Sequence, residues 1–130
     1  MKYADDDIAY QLSGIKSYPA INREAVQEMH RQVGDLQNGH DGIAVKGLII
    51  RHLVLPYGLA GTEQIVRFIS QSISPHSYVN IMDQYHPCHK AYGYDKLNRS
   101  LSVSEYQSAI DSASRAGLDR LDNRKVILRP

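Results

Sequence analysis

Cysteine, phenylalanine and tryptophan are nearly missing from this sequence. Its 130 residues include 1 Cys, 1 Phe and no Trp, although Tyr occurs 9 times. A single cysteine excludes an internal disulfide framework. Because Phe and Trp are scarce, the core must be built mainly from Ile, Leu, Val and Ala.

The sequence also lacks a charge excess and a long apolar run. Lys and Arg total 15 against 14 Asp and Glu, so the bulk charge does not indicate nucleic acid or an anionic membrane as a partner. The longest apolar run, GLIIRHLVLP, is interrupted by Arg51 and His52 and is shorter than the roughly 20 residues of a membrane helix. The start MKYADDDIAY has neither signal-peptide nor transit-peptide character, so we expect a cytoplasmic location.

The spacing of apolar residues predicts three helices. From Asn22 to Leu36 apolar residues recur at steps of three and four, the period of a one-faced helix. A second predicted helix has Thr62 as its N-cap and continues to Ile73. The third begins with Ser102 and Glu105, which form a capping-box pattern.

Apolar and β-branched runs predict strands between these helices. Residues 43–56, IAVKGLIIRHLVLP, are typical of a strand covered on both faces of a parallel sheet, and YVNIM at 78–82 is a second, shorter strand. KVIL at 125–128 could add one more. Alternating strands and helices predict one α/β unit, residues 1–130, with parallel strands.

So few strands cannot close a barrel, and each sheet edge would present unpaired backbone groups. We therefore expect the chain to be the carboxyl-terminal part of a larger sheet, or to complete itself by association.

Arg51 lies in the middle of the first predicted strand. A guanidinium buried between two covered faces costs several kcal/mol unless it meets an anion or hydrogen-bond acceptors. One possible partner is an internal carboxylate such as Asp83. The other is the carboxylate or phosphate of a ligand, which suits the forked donors of arginine.

His86, Cys88 and His89 follow the second predicted strand closely. The H-x-C-H spacing gives at most three neighbouring metal ligands, whereas structural zinc sites use four in two spaced pairs. Ligands of parallel sheets bind at the carboxyl ends of strands, which favours a binding loop over a metal site.

Four phrases of the sequence resemble a known family. KYADDDIAYQLSGIKSYP, RHLVLP, NIMDQYHPCHKA and EYQSAIDSASRAGLDRL are similar to the carboxyl-terminal half of radical S-adenosylmethionine enzymes. The similarity is greatest to the branch that resembles pyruvate formate-lyase activating enzymes, and it runs through nearly the whole chain.

The resemblance implies a fold and an activity. The family fold is a partial barrel of six parallel β/α units, of which this chain would supply about the last half. S-adenosylmethionine lies across the carboxyl ends of the strands and chelates a [4Fe-4S] cluster, whose reduction yields a 5′-deoxyadenosyl radical. The implied enzyme is an oxidoreductase, and its implied partner is a glycyl-radical enzyme on which it installs the radical.

The resemblance also implies three cofactor-binding residues. Lys2 matches the lysine of a D-x-K phrase after the fourth strand of the family, and Arg51 matches the arginine that opens R-x-x-x-x-P on the fifth. His86 matches a polar residue after the sixth strand. Each can donate hydrogen bonds to the methionine carboxylate or the ribose of S-adenosylmethionine.

This chain departs from the family at the iron–sulfur site. The family holds its cluster with C-x-x-x-C-x-x-C, and here Cys88 stands alone, so this chain ligates no complete cluster and should not generate the radical by itself. A cluster-binding amino-terminal half would be a required partner. Two other functions stay open: a binding or assembly module that pairs, also with itself, through open sheet edges, and a small metal-binding protein.

Overall fold

The fold of the chain was analysed in a computed structural model, which describes residues 1–122. This part of the chain is a mixed α/β structure in which a parallel sheet, a separate hairpin and four helices alternate. The helices are α1 (Asp6–Ser13), α2 (Tyr18–Val33), α3 (Thr62–Phe68) and α4 (Val103–Arg115). The strands are β1 (Gln37–Asn38), β2 (Ala44–Lys46), β3 (Ile49–Leu53), β4 (Tyr78–Met82) and β5 (Arg120–Leu121).

The main sheet consists of three parallel strands in the order β3, β4, β5 and is not closed into a barrel. In its register, Arg51 is paired with Asn80. The backbone of Met1 bonds to the other edge of β3, because the Leu53 N–H donates to the Met1 carbonyl at 3.2 Å and the Met1 nitrogen donates to the Arg51 carbonyl. The segment at Met1 therefore runs along β3 in the hydrogen-bond pattern of a parallel neighbour.

One face of the sheet is covered by α2, α3 and α4. Ile50, Val79 and Ile81 of the strands are buried there, and the helices contribute the buried residues Val26, Ile65, Val66, Ala109 and Ala113. On the opposite face Arg51 is exposed and Ile49 is 47% exposed. Near the carboxyl end of β3, Leu53 packs against a second cluster that contains Tyr3, Ala9, Leu55 and Ala60.

The strand expected over residues 43–56 is therefore wrong in two respects. It breaks at Gly47, and β2 pairs with β1 in an antiparallel hairpin outside the main sheet. Gly47 has φ 109°, and a Cβ there would lie 2.3 Å from the Asp35 carbonyl oxygen, so the close approach of the two segments requires glycine. The remaining strand, β3, alternates exposed and buried residues instead of burying both faces.

Two of the helix predictions are confirmed with shifted ends, and the third is confirmed at its cap. The first predicted helix corresponds to α2, which starts at Tyr18 and not at the predicted Asn22. Gly61, and not Thr62, is the N-cap of α3, because the Thr62 hydroxyl bonds to His52 at 2.9 Å. The helix then continues as a π-helical turn over Ile69–Ile73. The capping box of Ser102 and Glu105 is present at α4.

β4 occupies the predicted residues, whereas β5 was not predicted and KVIL lies outside the described residues. Within residues 1–122 no helix combines the length and the apolar character needed to cross a bilayer.

Candidate functional site

The open face of the sheet carries a polar row that starts on β3, crosses β4 and ends at the residue after β5. Arg51 of β3 is paired with Asn80 of β4, and the Asn80 side-chain amide donates a hydrogen bond to the Asp122 carboxylate. Adjacent strands lie about 4.8 Å apart, so the three side chains form one short line. A cation, an amide and an anion thus stand side by side on the face that helices α2 to α4 leave uncovered.

Arg51 makes no side-chain hydrogen bond or ion pair with any other residue in the part of the chain that the structure describes. Its burial, which was the reason to expect an internal counter-ion, is not observed, since Arg51 is exposed. Asp83, the proposed internal partner, is also exposed and does not bond to it. The forked guanidinium is therefore available to an acidic group of a ligand or partner.

A cavity of about 430 Å³ lies between this row and the β1–β2 hairpin. Ile49, Arg51, Tyr78, Asn80 and Asp122 line it from the sheet, and Leu36, Asn38, Gly42 and Ala44 line it from the hairpin side. It therefore lies over the first half of β3 and β4, and not at their carboxyl ends, where the sequence led us to expect the ligand. Its volume falls within the range of about 300–1,000 Å³ that is usual for small-molecule sites. Its wall is mixed, with the Arg51 cation, the Asp122 carboxylate, amides and apolar carbon, which suits a polar organic ligand that carries both an acidic and a basic group.

A larger cavity, of about 610 Å³, lies beyond the carboxyl end of β3, where the turn after this strand meets the starts of α1, α3 and α4. Its acidic residues already have partners: Asp5 accepts from the Ile8 N–H, Glu63 pairs with Arg67, and Glu105 pairs with Arg99. Its wall therefore offers no unpaired charge to a ligand, and the smaller cavity at Arg51 is the better candidate.

Lys2 and His86 do not line the cavity at Arg51. Lys2 Nζ lies 5.2 Å from the centre of the Tyr3 ring. His86 is exposed in the loop after β4, where its Nδ1 lies 3.5 Å from the Ser100 hydroxyl. No side-chain hydrogen bond or ion pair between described residues joins Lys2, Arg51 and His86, so their common role in binding a cofactor stays a prediction.

The loop around Cys88 does not form a metal centre with its neighbours. Cys88 and His89 are exposed, and His89 has a left-handed backbone with φ 49°. Among residues 1–122 no three His, Cys, Asp or Glu side chains converge as a metal site would require. The metal-binding alternative therefore has no ligand set in that part of the chain.

A cluster that sequence reasoning missed lies where the loops after β3 and β4 meet. The Arg99 guanidinium lies 4.4 Å from the centre of the Tyr57 ring and donates two hydrogen bonds, of 2.8 and 2.9 Å, to Glu105. Glu105 also accepts the Tyr57 N–H at 2.7 Å. The pKa of Glu105 lies far below its usual value, mainly because the Arg99 side chain donates hydrogen bonds to the carboxylate, which therefore stays ionised.

The capping-box pattern indicated that Glu105 would be ordered, but not that Tyr57 and Arg99 would reach it. That information is absent from the local pattern, because Tyr57 and Glu105 are 48 positions apart.

Comparison with known proteins gives one distant relative. No protein-family model matches the chain, and no solved structure matches it. The uncharacterized protein MJ0674 of Methanocaldococcus jannaschii is 33% identical over 119 residues. The match covers 91% of this chain and 31% of that protein, so the chain spans about a third of the length of its relative.

Proposed function

We propose that this chain is the carboxyl-terminal portion of a radical S-adenosylmethionine enzyme and contributes to binding of the cofactor and the substrate. The main support is a parallel sheet with helices on one face and Arg51, beside a cavity, on the other. In a β/α barrel the helices lie outside and the strands face inward, so about half a barrel would have this arrangement. We thus interpret the open α/β sheet described above as a fragment of a β/α barrel.

The relative supports a part in a longer protein. A chain that aligns over 91% of its own length with under a third of another protein fits a segment of a larger sheet. The uncovered face with Ile49 and Arg51 is consistent with this proposal, since purely parallel sheets are almost always covered on both faces.

The residues at the cavity fit S-adenosylmethionine better than they fit an iron–sulfur cluster. The Arg51 guanidinium suits the methionine carboxylate, and the side chains of Asn80 and Asp122 can bond to its amino group or to ribose hydroxyls. Cys88 is the only thiol, and a [4Fe-4S] cluster needs at least three. Another segment or another chain must therefore supply the cluster ligands. The complete enzyme would be an activase that acts on a glycyl-radical enzyme.

Calorimetric titration of S-adenosylmethionine tests the proposal directly. We expect weak binding to the unmodified chain and a loss of about 10-fold or more in affinity for Arg51→Ala, because a charge-assisted hydrogen bond is removed. Arg31→Ala is the matched control, since Arg31 is a surface arginine on α2 that pairs with Glu28 of the same helix. Equal affinities of the unmodified chain and Arg51→Ala would contradict the role of Arg51.

A second candidate function is that of an assembly module, and the β1–β2 hairpin is the observation that favours it. Ile43 and Val45 are 65% and 69% exposed. Large apolar side chains exposed together on one short hairpin are typical of surfaces that bind a protein partner. Sedimentation velocity over a range of concentrations measures self-association, and a monomer throughout would remove the homo-oligomer from consideration.

A further inference from the structure

The loops that follow β3 and β4 are joined by side chains and not by backbone pairing. Tyr57 belongs to the turn after β3, Arg99 to the end of the loop after β4, and Glu105 to the first turn of α4. The Arg99 guanidinium packs on the Tyr57 ring and binds both carboxylate oxygens of Glu105. A forked pair of this kind fixes the orientation of both partners, since two parallel bonds allow little rotation.

The backbone of Tyr57 is strained in the conformation that this contact requires. Tyr57 has φ 56° and ψ 24°, the left-handed region that costs a residue with a Cβ about 1–2 kcal/mol. Such a conformation persists where the surroundings impose it. Here Glu105 accepts the Tyr57 N–H at 2.7 Å, and the ring rests on Arg99. The structure thus retains a costly turn at the point where it meets the other loop.

The loop between β4 and Arg99 has few other attachments to the body of the chain. Of residues 83–98, Leu97 alone is buried. The Tyr85 hydroxyl donates to the Leu97 carbonyl at 2.7 Å, which closes the loop upon itself. Tyr85 also packs against the second cluster, which contains Tyr3 and Leu55. The loop is therefore anchored at β4 and Tyr85 near its start and at Arg99 at its end.

We propose that Tyr57, Arg99 and Glu105 form a clasp that positions the loop of residues 83–98, which carries His86, against the turn after β3. Arg99 is then a positioning residue, because it acts on the loop and does not itself touch a ligand. The clasp stands on geometry alone, whereas its effect on S-adenosylmethionine rests on the proposed function.

Hydrogen exchange of the backbone amides of Ala91, Tyr94 and Leu97, which donate hydrogen bonds within the loop, tests the clasp in the chain as it is. In Arg99→Ala we expect these amides to exchange about tenfold faster or more, because local opening no longer breaks a charged, forked pair. The rate in α2 and β4 should stay unchanged. Arg31→Ala is the control, since Arg31 also binds a glutamate with a forked geometry, but both residues lie on the exposed face of one helix.

Two further measurements separate positioning from general stabilisation. Urea unfolding of the same variants gives the global free energy, and a clasp role requires faster loop exchange at a global stability close to that of Arg31→Ala. Arg99→Lys keeps the charge but lacks the fork, so it should restore only part of the protection. Should Arg99→Ala fail to fold, Glu105→Gln is read in the same way, because it retains an acceptor for Ser102 and loses the charge.

The outcomes also distinguish the clasp from the proposed function. Loop exchange in Arg99→Ala equal to that in Arg31→Ala would overturn the clasp, whatever the chain binds. Failure of the unmodified chain to bind S-adenosylmethionine would count against the proposed function and leave the exchange result to judge the clasp. If both hold, Arg99→Ala should weaken S-adenosylmethionine binding as well as loosen the loop.

Discussion

His52 should make the stability of this protein depend on pH between about 4 and 6.5. Its ring is fully buried beneath the sheet, and its Nε2 lies 2.9 Å from the Thr62 hydroxyl. Nδ1 lies 3.2 Å from the Met1 carbonyl, which only accepts, so Nδ1 carries the proton and Nε2 accepts from Thr62. The neutral ring thus makes both of its hydrogen bonds. In a charged ring Nε2 would also carry a proton, so the Thr62 hydroxyl would have to reorient from donor to acceptor.

The magnitude follows from the two pKa values of His52. Burial lowers the pKa of His52 in the folded chain to about 4, against 6.5 in the unfolded chain. Below pH 6.5 the unfolded state therefore binds a proton that the folded state refuses, and stability falls as the pH is lowered. Linkage gives a loss of about 1.4 kcal/mol at pH 5.5 and about 3 kcal/mol at pH 4, relative to pH 7.5.

Urea unfolding of the unmodified chain and of His52→Gln at several pH values measures this loss. Glutamine does not titrate, and the other ionisable groups are common to both proteins, so the difference between the two pH profiles isolates His52. The difference between the free energies of unfolding of the two proteins should change by about 3 kcal/mol from pH 7.5 to pH 4, because only the unmodified chain loses the contribution of His52. Parallel profiles would refute the reasoning, because they would mean that the ring is solvated or already charged in the folded state.

Two substitutions test local features of the fold. Gly47→Ala should cost about 2–4 kcal/mol, because its Cβ would overlap the backbone of Asp35; Gly42→Ala, also at positive φ but with open space around it, should cost about 1 kcal/mol, and equal losses in urea unfolding would refute the close approach. Ser102→Ala should lower the free energy of unfolding by about 1 kcal/mol, since its hydroxyl accepts the Glu105 N–H at the start of α4. An unchanged urea midpoint for Ser102→Ala would show that Glu105 alone suffices as the cap.

Elements that carry their own local signal were predictable from the sequence. The capping box at Ser102 and the β-rich run YVNIM specify their structures through bonds and periodicity within a few residues. Thr62 was misplaced as a cap because its hydroxyl bonds instead to His52, which lies ten positions earlier in the chain and meets Thr62 only in the folded structure. Local pattern cannot report such a competing partner.

The candidate site was predictable only in part, for the same reason. Arg51 was singled out as a residue that needs an anion because its strand was expected to be covered on both faces, and the structure shows Arg51 exposed instead. Whether a strand is covered depends on the rest of the sheet, and apolar content alone does not distinguish one face from two. The clasp at Arg99 escaped notice because it joins loops through side chains that meet only in the tertiary fold.

One-sided cover of the sheet also affects how stability varies with temperature. The heat capacity of unfolding grows with the apolar area that unfolding exposes, and Ile49 and the hairpin side chains Ile43 and Val45 are already hydrated. The unfolding of this chain should therefore absorb less heat per degree than that of a fully enclosed domain of the same length, and its stability curve should be flatter. A partner that excluded water from this face would increase the heat capacity of unfolding and steepen the stability curve, so calorimetry alone could detect its binding.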